Sequence, residues 1–543
     1  MAAEANQDKV QNADSGAPAS PRFQWFREDT SALAATAAAL MLFTLTGADV
    51  RLWPAAILAP LPLLVIAAEV PGKRAAQFAF GAHLFGNFPR WPAEMTVMSL
   101  PILIGIHAAE AALFAATVVL AGRGTRRWAG WLATLVYPVL TTAAWFGIDK
   151  LSPNGTYANP AYGVVDLLPL MQIAAYTGLA GITFLISLVP AALAVAWYRR
   201  RWRMKWQPIA ALPLGIFAIA VAAGAVRMIT AAGSAAVKVG VAATDRMPTL
   251  FDAQQAADAA KALGLYAPLV TQAASEGAQV VVLPEEVVGA APQFESRITA
   301  GFAQMAMFSH VWLVVGINEN GRDPQRNVAF VFSPEGKIVA RYEKRHLIPG
   351  VESRFAPGTA SVVFDSPWGR SALAICKDLD FPALGREIAA QGATIVLAPA
   401  WDWQGTEVIH QRMAKALGIA SGLSIARAAR QGIVSLTDSA GRTVGAASTF
   451  EHDPALLVAE LPIGAGATFY ARHGDWFGWT AAVLAAIILG LFALLASADR
   501  ARAARRAGSG ITEEVLAAAV LPHATEAEPE HQSEEPEILH YRR

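Results

Sequence analysis

The chain has 543 residues, of which 54% are hydrophobic and only 16% are charged, and its formal net charge is zero. Soluble proteins of this length carry more charge, so the composition predicts a large membrane-embedded part. The balanced charge leaves no basic footprint for nucleic acid, and we expect no nucleic-acid partner. A single cysteine excludes an intramolecular disulfide, and the Cys/His spacings of metal sites are absent, so we expect no metal and no cofactor.

The N-terminal part begins with a polar segment and continues as apolar stretches. Residues 1–30 are predicted to be a disordered tail, because they lack the charged-then-apolar layout of a cleavable signal. Residues 31–229 form a series of apolar stretches, each close to the ~20 residues that cross a bilayer. We predict seven spans, of which the third is the weakest because Asn87, Pro89 and Arg90 interrupt it. The predicted spans are 31–48, 52–70, 75–92, 97–121, 128–148, 167–198 and 208–229.

Basic residues predict the orientation of these spans. Lysines and arginines precede the first span and follow the second, fourth and sixth, which places them all on one side of the membrane if the spans alternate. That side should be the cytoplasm, so residues 230–470 should be extracytoplasmic. An eighth span, 474–497, returns the chain to the cytoplasm, and the Glu-rich residues 498–543 are predicted to be a disordered cytoplasmic tail. The basic residues are Arg22, Arg27, Lys73, Arg74, Arg123, Arg126, Arg127, Arg199 to Arg201, Arg203, Lys205, Arg500, Arg502, Arg505 and Arg506.

Residues 230–470 have the pattern of a separate water-exposed domain. Short β-branched runs alternate with helical stretches, the clearest of which are 253–276 and 409–421. This alternation predicts an α/β domain. The strand-like runs are 237–242, 280–283, 311–315, 328–332, 372–375 and 394–397.

Three reactive side chains follow predicted strands in this domain. Glu285 ends the run that begins at Gln279, Lys344 follows residues 337–342, and the only cysteine, Cys376, follows residues 372–375. A thiol nucleophile needs a base, and the tetrahedral intermediate that it forms needs a positive charge or hydrogen-bond donors near its oxyanion. Glu285 is therefore a candidate base and Lys344 a candidate oxyanion partner. Each residue also has a simpler explanation when taken alone: a buried thiol, a strand-end carboxylate and a solvated lysine.

The order of the motifs decides between these explanations. Leu283-Pro-Glu285, Tyr342-Glu-Lys344 and Ala374-Ile-Cys376, with Asn327 opening a strand between the first two, resemble the nitrilase (carbon–nitrogen hydrolase) superfamily across most of residues 236–460. The resemblance implies an α-β-β-α sandwich and a Glu285–Lys344–Cys376 triad. It also implies that Glu352 is a second glutamate that supports the triad.

The combination of a multispan helical domain with this sandwich resembles the apolipoprotein N-acyltransferase family over roughly residues 30–500. The family resemblance implies that Cys376 takes an acyl group from a phospholipid as a thioester and passes it to the N-terminal amine of a diacylated lipoprotein. Glu285 would deprotonate Cys376, Lys344 would stabilise the oxyanion, and Glu352 would hold the lysine. The expected location is the bacterial inner membrane, with the catalytic domain in the periplasm.

Departures from the family pattern leave other functions open. Lys377-Asp378 replaces the usual Tyr-Glu after the cysteine, residues 152–160 replace an aromatic and Leu-rich segment, and Ala243-Thr244-Asp245 replaces Gln-Pro-Asn. The alternatives are a membrane-tethered amidase, a divergent paralogue that acylates another amine, and a catalytically inactive scaffold. Trp401 and Trp403 occupy the position of a mobile lid in the family, and packing inside the domain is the alternative for them.

Overall fold

A computed structural model describes residues 21–46, 52–128, 130–230, 235–246, 256–321 and 323–519. Its N-terminal part is helical, with two short 3-10 helices at Phe88–Arg90 and Pro160–Val164. The helices before the first strand are α1 (Pro21–Thr44), α2 (Trp53–Leu58), α3 (Leu61–Ala67), α4 (Gly72–Gly86), α5 (Trp91–Glu94), α6 (Leu100–Arg127), α7 (Leu132–Leu151), α8 (Leu168–Met171), α9 (Ala174–Arg201) and α10 (Gln207–Thr230).

Five helices of the described residues are long and apolar enough to cross a membrane: α6, α7, α9, α10 and the first 30 residues of the C-terminal helix, Trp476–Arg505. The predicted span 52–70 is divided between α2 and α3, because Pro60 and Pro62 interrupt helical hydrogen bonding. The predicted span 75–92 overlaps the 15-residue helix α4, which ends at Gly86. The structure therefore has a multispan apolar helical domain, and the predicted count of eight spans is not confirmed.

Both predicted disordered tails are partly helical. Helix α1 begins at Pro21, well before the predicted end of the tail at residue 30, and proline is favoured in the first turn of a helix. The C-terminal helix continues to Ala519, past the predicted end of the span at 497, through an Ala- and Arg-rich stretch with high helix propensity. The remaining parts of the two predicted tails, residues 1–20 and 520–543, lie outside the described residues.

Residues 236–462 contain two mixed β-sheets. One sheet has the strand order β13-β1-β2-β4-β5-β6, with β3 also paired to β4, and the other has the order β12-β11-β10-β9-β8-β7. The strands are β1 (Ala236–Ala243), β2 (Val280–Val282), β3 (Val288–Gly289), β4 (Trp312–Glu319), β5 (Arg326–Phe332), β6 (Ile338–Glu343), β7 (Val363–Ser366), β8 (Gly369–Leu373), β9 (Ile395–Trp401), β10 (Ser424–Arg430), β11 (Ile433–Thr437), β12 (Thr443–Ser448) and β13 (Ala455–Pro462).

The two sheets pack face to face between two layers of helices. Buried Val239 and Val282 of the first sheet share a core with Leu373 and Ile395 of the second. Two further cores lie on the outer faces of the sheets, each between a sheet and a pair of helices. This arrangement confirms the predicted α-β-β-α sandwich. The remaining helices are α11 (Ala256–Ser275), α12 (Pro292–Ser309), α13 (Pro382–Ala390), α14 (Glu407–Ser421), α15 (Phe469–His473) and α16 (Trp476–Ala519).

The membrane helices and the sandwich share one buried core. Leu170 and Ile182 of the helical domain pack with Met413 and Ile419 of α14. Gly178, which has a φ of +65°, lies so close to the ring of Tyr470 that a Cβ at this position would be 2.5 Å from it. The chain divides into two compact units at residue 486, so this shared core lies entirely within the first unit.

Candidate active site

The four side chains predicted to form the site are all buried in the sandwich: Glu285, Lys344, Glu352 and Cys376. The Lys344 ammonium donates to Glu285 Oε1 at 2.7 Å and to Glu352 Oε1 at 2.8 Å. Asn327 Nδ2 also donates to Glu285 Oε1, at 2.7 Å. The fold therefore brings both predicted glutamates onto one lysine.

Cys376 begins a 3-10 helix, Cys376–Asp380, shortly after strand β8 ends. Its φ is +45°, a left-handed conformation that costs a non-glycine residue free energy and is typical of functional sites. The thiol donates to the backbone oxygen of Trp401 at 3.3 Å. The sulfur therefore lies next to the C-terminal end of β9.

Burial, reinforced by the charge of Glu285, keeps the thiol of Cys376 neutral at rest. Burial raises the pKa of Cys376 well above its usual value, and the Glu285 charge raises it further, while Lys344 opposes both effects. Burial also raises the pKa of Glu285, which makes this carboxylate a stronger base. Burial alone would lower the pKa of Lys344, but Glu285 and Glu352 outweigh it, so the pKa is raised and the amine stays charged. A neutral thiol beside a strengthened base and a fixed cation suits a nucleophile that loses its proton as it attacks.

Asp378 joins the segment that carries the cysteine to the segment that carries the lysine. Its fully buried carboxylate accepts from Tyr342 Oη at 2.7 Å and from the backbone N–H of Ile375 at 3.0 Å. It also accepts from the backbone N–H groups of Arg345 and His346, at 3.2 and 2.9 Å, and lies 2.8 Å from the His346 ring nitrogen Nδ1. One carboxylate thus fixes the position of the segment that carries Cys376 relative to the segment that carries Lys344.

Trp401, the last residue of β9, and Asp402, which follows it, pack inside the domain. The Arg430 guanidinium lies 4.2 Å from the centre of the Trp401 ring, and Trp401 Nε1 donates to Gln431 at 2.9 Å. The next residue, Asp402, is fully buried and forms a bidentate ion pair with Arg427, in which Nη1 donates to Oδ2 at 2.9 Å. These contacts favour the packing interpretation of Trp401 over an exposed lid residue.

Lys377, the unusual residue after the cysteine, is buried rather than solvated. Its Nζ donates to Asn154 Oδ1 at 2.9 Å and lies 3.9 Å from Asp380 Oδ2. Thr156 donates to the backbone oxygen of Asp380 through both its N–H and its hydroxyl, at 3.1 and 2.8 Å. The 152–160 loop therefore contacts the 3-10 helix that begins at Cys376 directly.

A cavity of about 570 Å³ lies between the helical domain and the start of α14. His83, Asn87 and Arg90 line it from the helical domain, and Gln404 and Arg412 line it from the sandwich. Gln404 follows Trp401 by three residues, so the segment that contacts the thiol also borders this cavity.

Ionisable side chains are buried beside the cavity. Arg90 donates to Glu94 at 2.9 Å, and Glu94 lies 2.6 Å from His107 Nε2. His107 Nδ1 lies 3.4 Å from Glu110, which lines the cavity. Charged groups within membrane helices are costly and are usually retained for function. The three residues that interrupt the predicted third span, Asn87, Pro89 and Arg90, all line the cavity, and Arg90 belongs to this cluster.

Two family models match the chain. The carbon-nitrogen hydrolase model matches residues 242–468, and the apolipoprotein N-acyltransferase N-terminal domain matches residues 39–192. The apolipoprotein N-acyltransferase of Geobacter metallireducens is 26% identical over 484 residues, which cover 81% of this chain and 91% of the relative. This chain is a homologue of the apolipoprotein N-acyltransferases. The match therefore extends through both the helical domain and the catalytic domain.

Other similar proteins cover less of this apolipoprotein N-acyltransferase homologue. The apolipoprotein N-acyltransferase of a Synechocystis species is 24% identical over 42% of this chain and 47% of the relative. The human omega-amidase is 32% identical over 24% of this chain and 54% of the relative. A mutant amidase from Nesterenkonia sp. AN1, whose structure shows an acetamide moiety on its active-site cysteine, is 22% identical and covers 42% of this chain and 90% of its own, with a TM-score of 0.36.

Some residues of the site in this homologue were missed from the sequence alone. Arg427 lies in the fully buried strand β10, and a charged residue in an otherwise apolar run is a signal that was available. Glu286 directly follows Glu285, but nothing in the spacing shows that both carboxylates are buried. Asp402 lies between two tryptophans, where its partner cannot be inferred from the local sequence.

Proposed function

We propose that this chain is a membrane N-acyltransferase that moves a fatty acyl chain from phospholipid, through a Cys376 thioester, to the N-terminal amine of a diacylated lipoprotein. The observation that carries the proposal is the buried cluster of Glu285, Lys344 and Glu352 in the same compact unit as the apolar helices. The homology to apolipoprotein N-acyltransferases over both domains supports it. We propose the bacterial inner membrane as the location, with the catalytic domain on the periplasmic side.

The first half-reaction forms the thioester. Glu285 takes the thiol proton as Cys376 sulfur attacks the ester carbonyl carbon of the phospholipid, and the Lys344 ammonium stabilises the oxyanion. The tetrahedral intermediate then breaks its bond to the alcohol oxygen. Glu285 returns the proton to that oxygen, and the lysophospholipid leaves.

The second half-reaction transfers the acyl group to the acceptor. The neutral amine of the lipoprotein attacks the thioester carbonyl and gives a proton to Glu285, while Lys344 again faces the oxyanion. Collapse of the intermediate forms the amide and releases the Cys376 sulfur, which recovers a proton from Glu285. Glu352 keeps Lys344 in place in both halves through its 2.8 Å hydrogen bond.

The cavity provides a route for the lipid donor. It is bordered by Gln404, close in sequence to the carbonyl that contacts the thiol, and by helices of the membrane domain. The polar and charged side chains in the lining of this cavity, among them Asn87, Arg90 and Arg412, suit a lipid headgroup, while the apolar helices accommodate the acyl chains. Exclusion of water from the thioester would then favour transfer over hydrolysis.

The test is accumulation of the acyl-enzyme when acceptor is withheld. Incubation of purified protein with phospholipid alone should add the mass of one fatty acyl chain, which hydroxylamine removes, and Cys376→Ala should not gain it. A diacylated lipopeptide with a free N-terminal amine should discharge the adduct and yield the triacylated product. An adduct that persists after the lipopeptide is added would rule out this acceptor. Absence of any adduct together with rapid release of ammonia from small amides would identify an amidase.

A further inference from the structure

Glu286 is a second buried carboxyl beside the candidate base, and the proposed reaction does not use it. It is only 2% exposed and has a φ of +49°, again a strained conformation for a residue with a side chain. Two adjacent glutamates, Glu285 and Glu286, thus point into the interior of the sandwich. Such an arrangement is costly unless both side chains have a role or are compensated.

The contacts of Glu286 connect it to the base. Asn318 Nδ2 donates to Glu286 Oε2 at 3.0 Å, and Asn327 Nδ2, which donates to Glu285 at 2.7 Å, lies 3.4 Å from Glu286 Oε1. Asn327 Nδ2 is also 3.4 Å from Glu352. One amide group is therefore shared among three carboxyl groups, whose oxygens lie within 4.8 Å of one another.

Positive charge in the cluster is unevenly distributed. Lys344 donates to Glu285 and Glu352, whereas Arg354 donates to Glu286, at 3.4 Å. Arg430, on β10, also faces this region. Burial and the neighbouring Glu285 charge raise the pKa of Glu286 to about 7, with a smaller opposing effect of Arg354. The carboxyl therefore exchanges its proton near neutral pH.

We propose that Glu286 is a positioning residue of the acyl transfer, and that its protonated form is the active one. The inference rests on the catalytic roles proposed for Glu285, Lys344 and Cys376. An ionised Glu286 is a stronger hydrogen-bond acceptor than the acid and competes with Glu285 for the Asn327 amide. Its charge also opposes the negative charge that develops on the oxyanion. Protonation removes both effects and leaves Asn327 and Lys344 aligned on Glu285.

The sign of the pH dependence follows from this arrangement. Below pH 7 Glu286 is mostly protonated, and Glu286→Gln, a neutral side chain of the same shape, should behave like the wild type. Above pH 7 the protonated fraction of the wild type falls about tenfold per pH unit, whereas the variant does not change. The ratio of variant to wild-type rates should thus rise by about tenfold between pH 6 and pH 8.

Two rates measured from pH 5.5 to 9 test the proposal. The first is formation of the acyl-enzyme from phospholipid. The second is alkylation of Cys376 by iodoacetamide, followed by mass spectrometry, which is site-specific because this is the only thiol in the chain. For both rates the Glu286→Gln to wild-type ratio should rise across neutral pH. Glu286→Asp keeps a titrating carboxyl, so its rates should show the same change of slope near neutral pH (the neutral-pH break) as the wild-type rates.

A matched control is Glu319→Gln, which removes another buried carboxylate, one that pairs with Arg341 at 2.7 Å outside the cluster. Its ratio to wild type should be flat with pH. A flat alkylation ratio for Glu286→Gln, or the absence of a neutral-pH break from both the wild type and Glu286→Asp, would overturn the inference. If no acyl-enzyme forms but the alkylation ratio still rises with pH, phospholipid is not the acyl donor. The role inferred for Glu286 would then still stand.

Discussion

Replacement of Asp378 by alanine is the sharpest test of how the site is assembled. The carboxylate is fully buried and receives hydrogen bonds from Tyr342 Oη and from the backbone N–H groups of Ile375, Arg345 and His346. Asp378→Ala removes every one of these acceptor contacts at once. The donors belong to two different segments, so the variant should both destabilise the domain and separate Cys376 from Lys344.

The size of the effect follows from the number of buried donors that lose their acceptor. A buried donor without a partner costs about 1–3 kcal/mol, and part of this cost is recovered by relaxation or by entry of water. We therefore expect Asp378→Ala to lower the free energy of unfolding by about 3–5 kcal/mol. For a domain of roughly 200 residues this corresponds to a decrease in Tm of about 10 °C.

The assay is thermal unfolding in detergent, followed by tryptophan fluorescence, together with acyl-enzyme formation. Asp378→Asn retains one carbonyl acceptor and should lose less stability than Asp378→Ala. The matched control is Asp365→Ala, because the Asp365 side chain is 90% exposed and its ion pair with Arg370 is long, at 3.4 Å. A Tm for Asp378→Ala within about 2 °C of the Asp365→Ala value would refute the reasoning, as would unimpaired thioester formation.

Two other predictions concern topology and the buried ion pair. Reporter fusions after Ala232 and after Arg506 should report opposite compartments, the first extracytoplasmic, and the same compartment for both would contradict the predicted orientation. Arg427→Met should lower stability by about 3–5 kcal/mol, because it leaves the buried Asp402 carboxylate uncompensated. The double variant with Asp402→Leu should recover much of this loss in Tm, and a double variant less stable than the single would argue against the pairing.

The fold of the catalytic domain was largely predictable because its signals are local. Runs such as 280–283 and 394–397 are β-branched and apolar, and both are strands of the buried sheets. The membrane helices were less predictable, because hydropathy measures composition but not helix length. Pro60 and Pro62 divide the predicted span 52–70. The helix Gly72–Gly86 is shorter than the predicted span 75–92.

The candidate site was predictable to the extent that it follows strand ends. Glu285, Lys344 and Cys376 were placed from the apolar runs that precede them, and the structure brings the two glutamates onto Lys344. The sequence does not show which polar residues are buried together, since that depends on which strands pair and in what register. Arg427 and Asp402, separated by 25 residues, became partners only through the packing of β9 against β10.

The departures from the family pattern take on a different meaning in three dimensions. In the sequence, Lys377 and the 152–160 loop are separate anomalies more than 200 residues apart, and each weakens the functional interpretation. In the structure Lys377 Nζ donates to Asn154, and the same loop binds the backbone of Asp380. The two unusual segments therefore contact each other and connect the helical domain to the 3-10 helix that begins at Cys376. The presence of both Lys377 and the 152–160 loop is therefore compatible with acyl transfer. The contact with Asn154 explains Lys377 without a role for this lysine in hydrolysis.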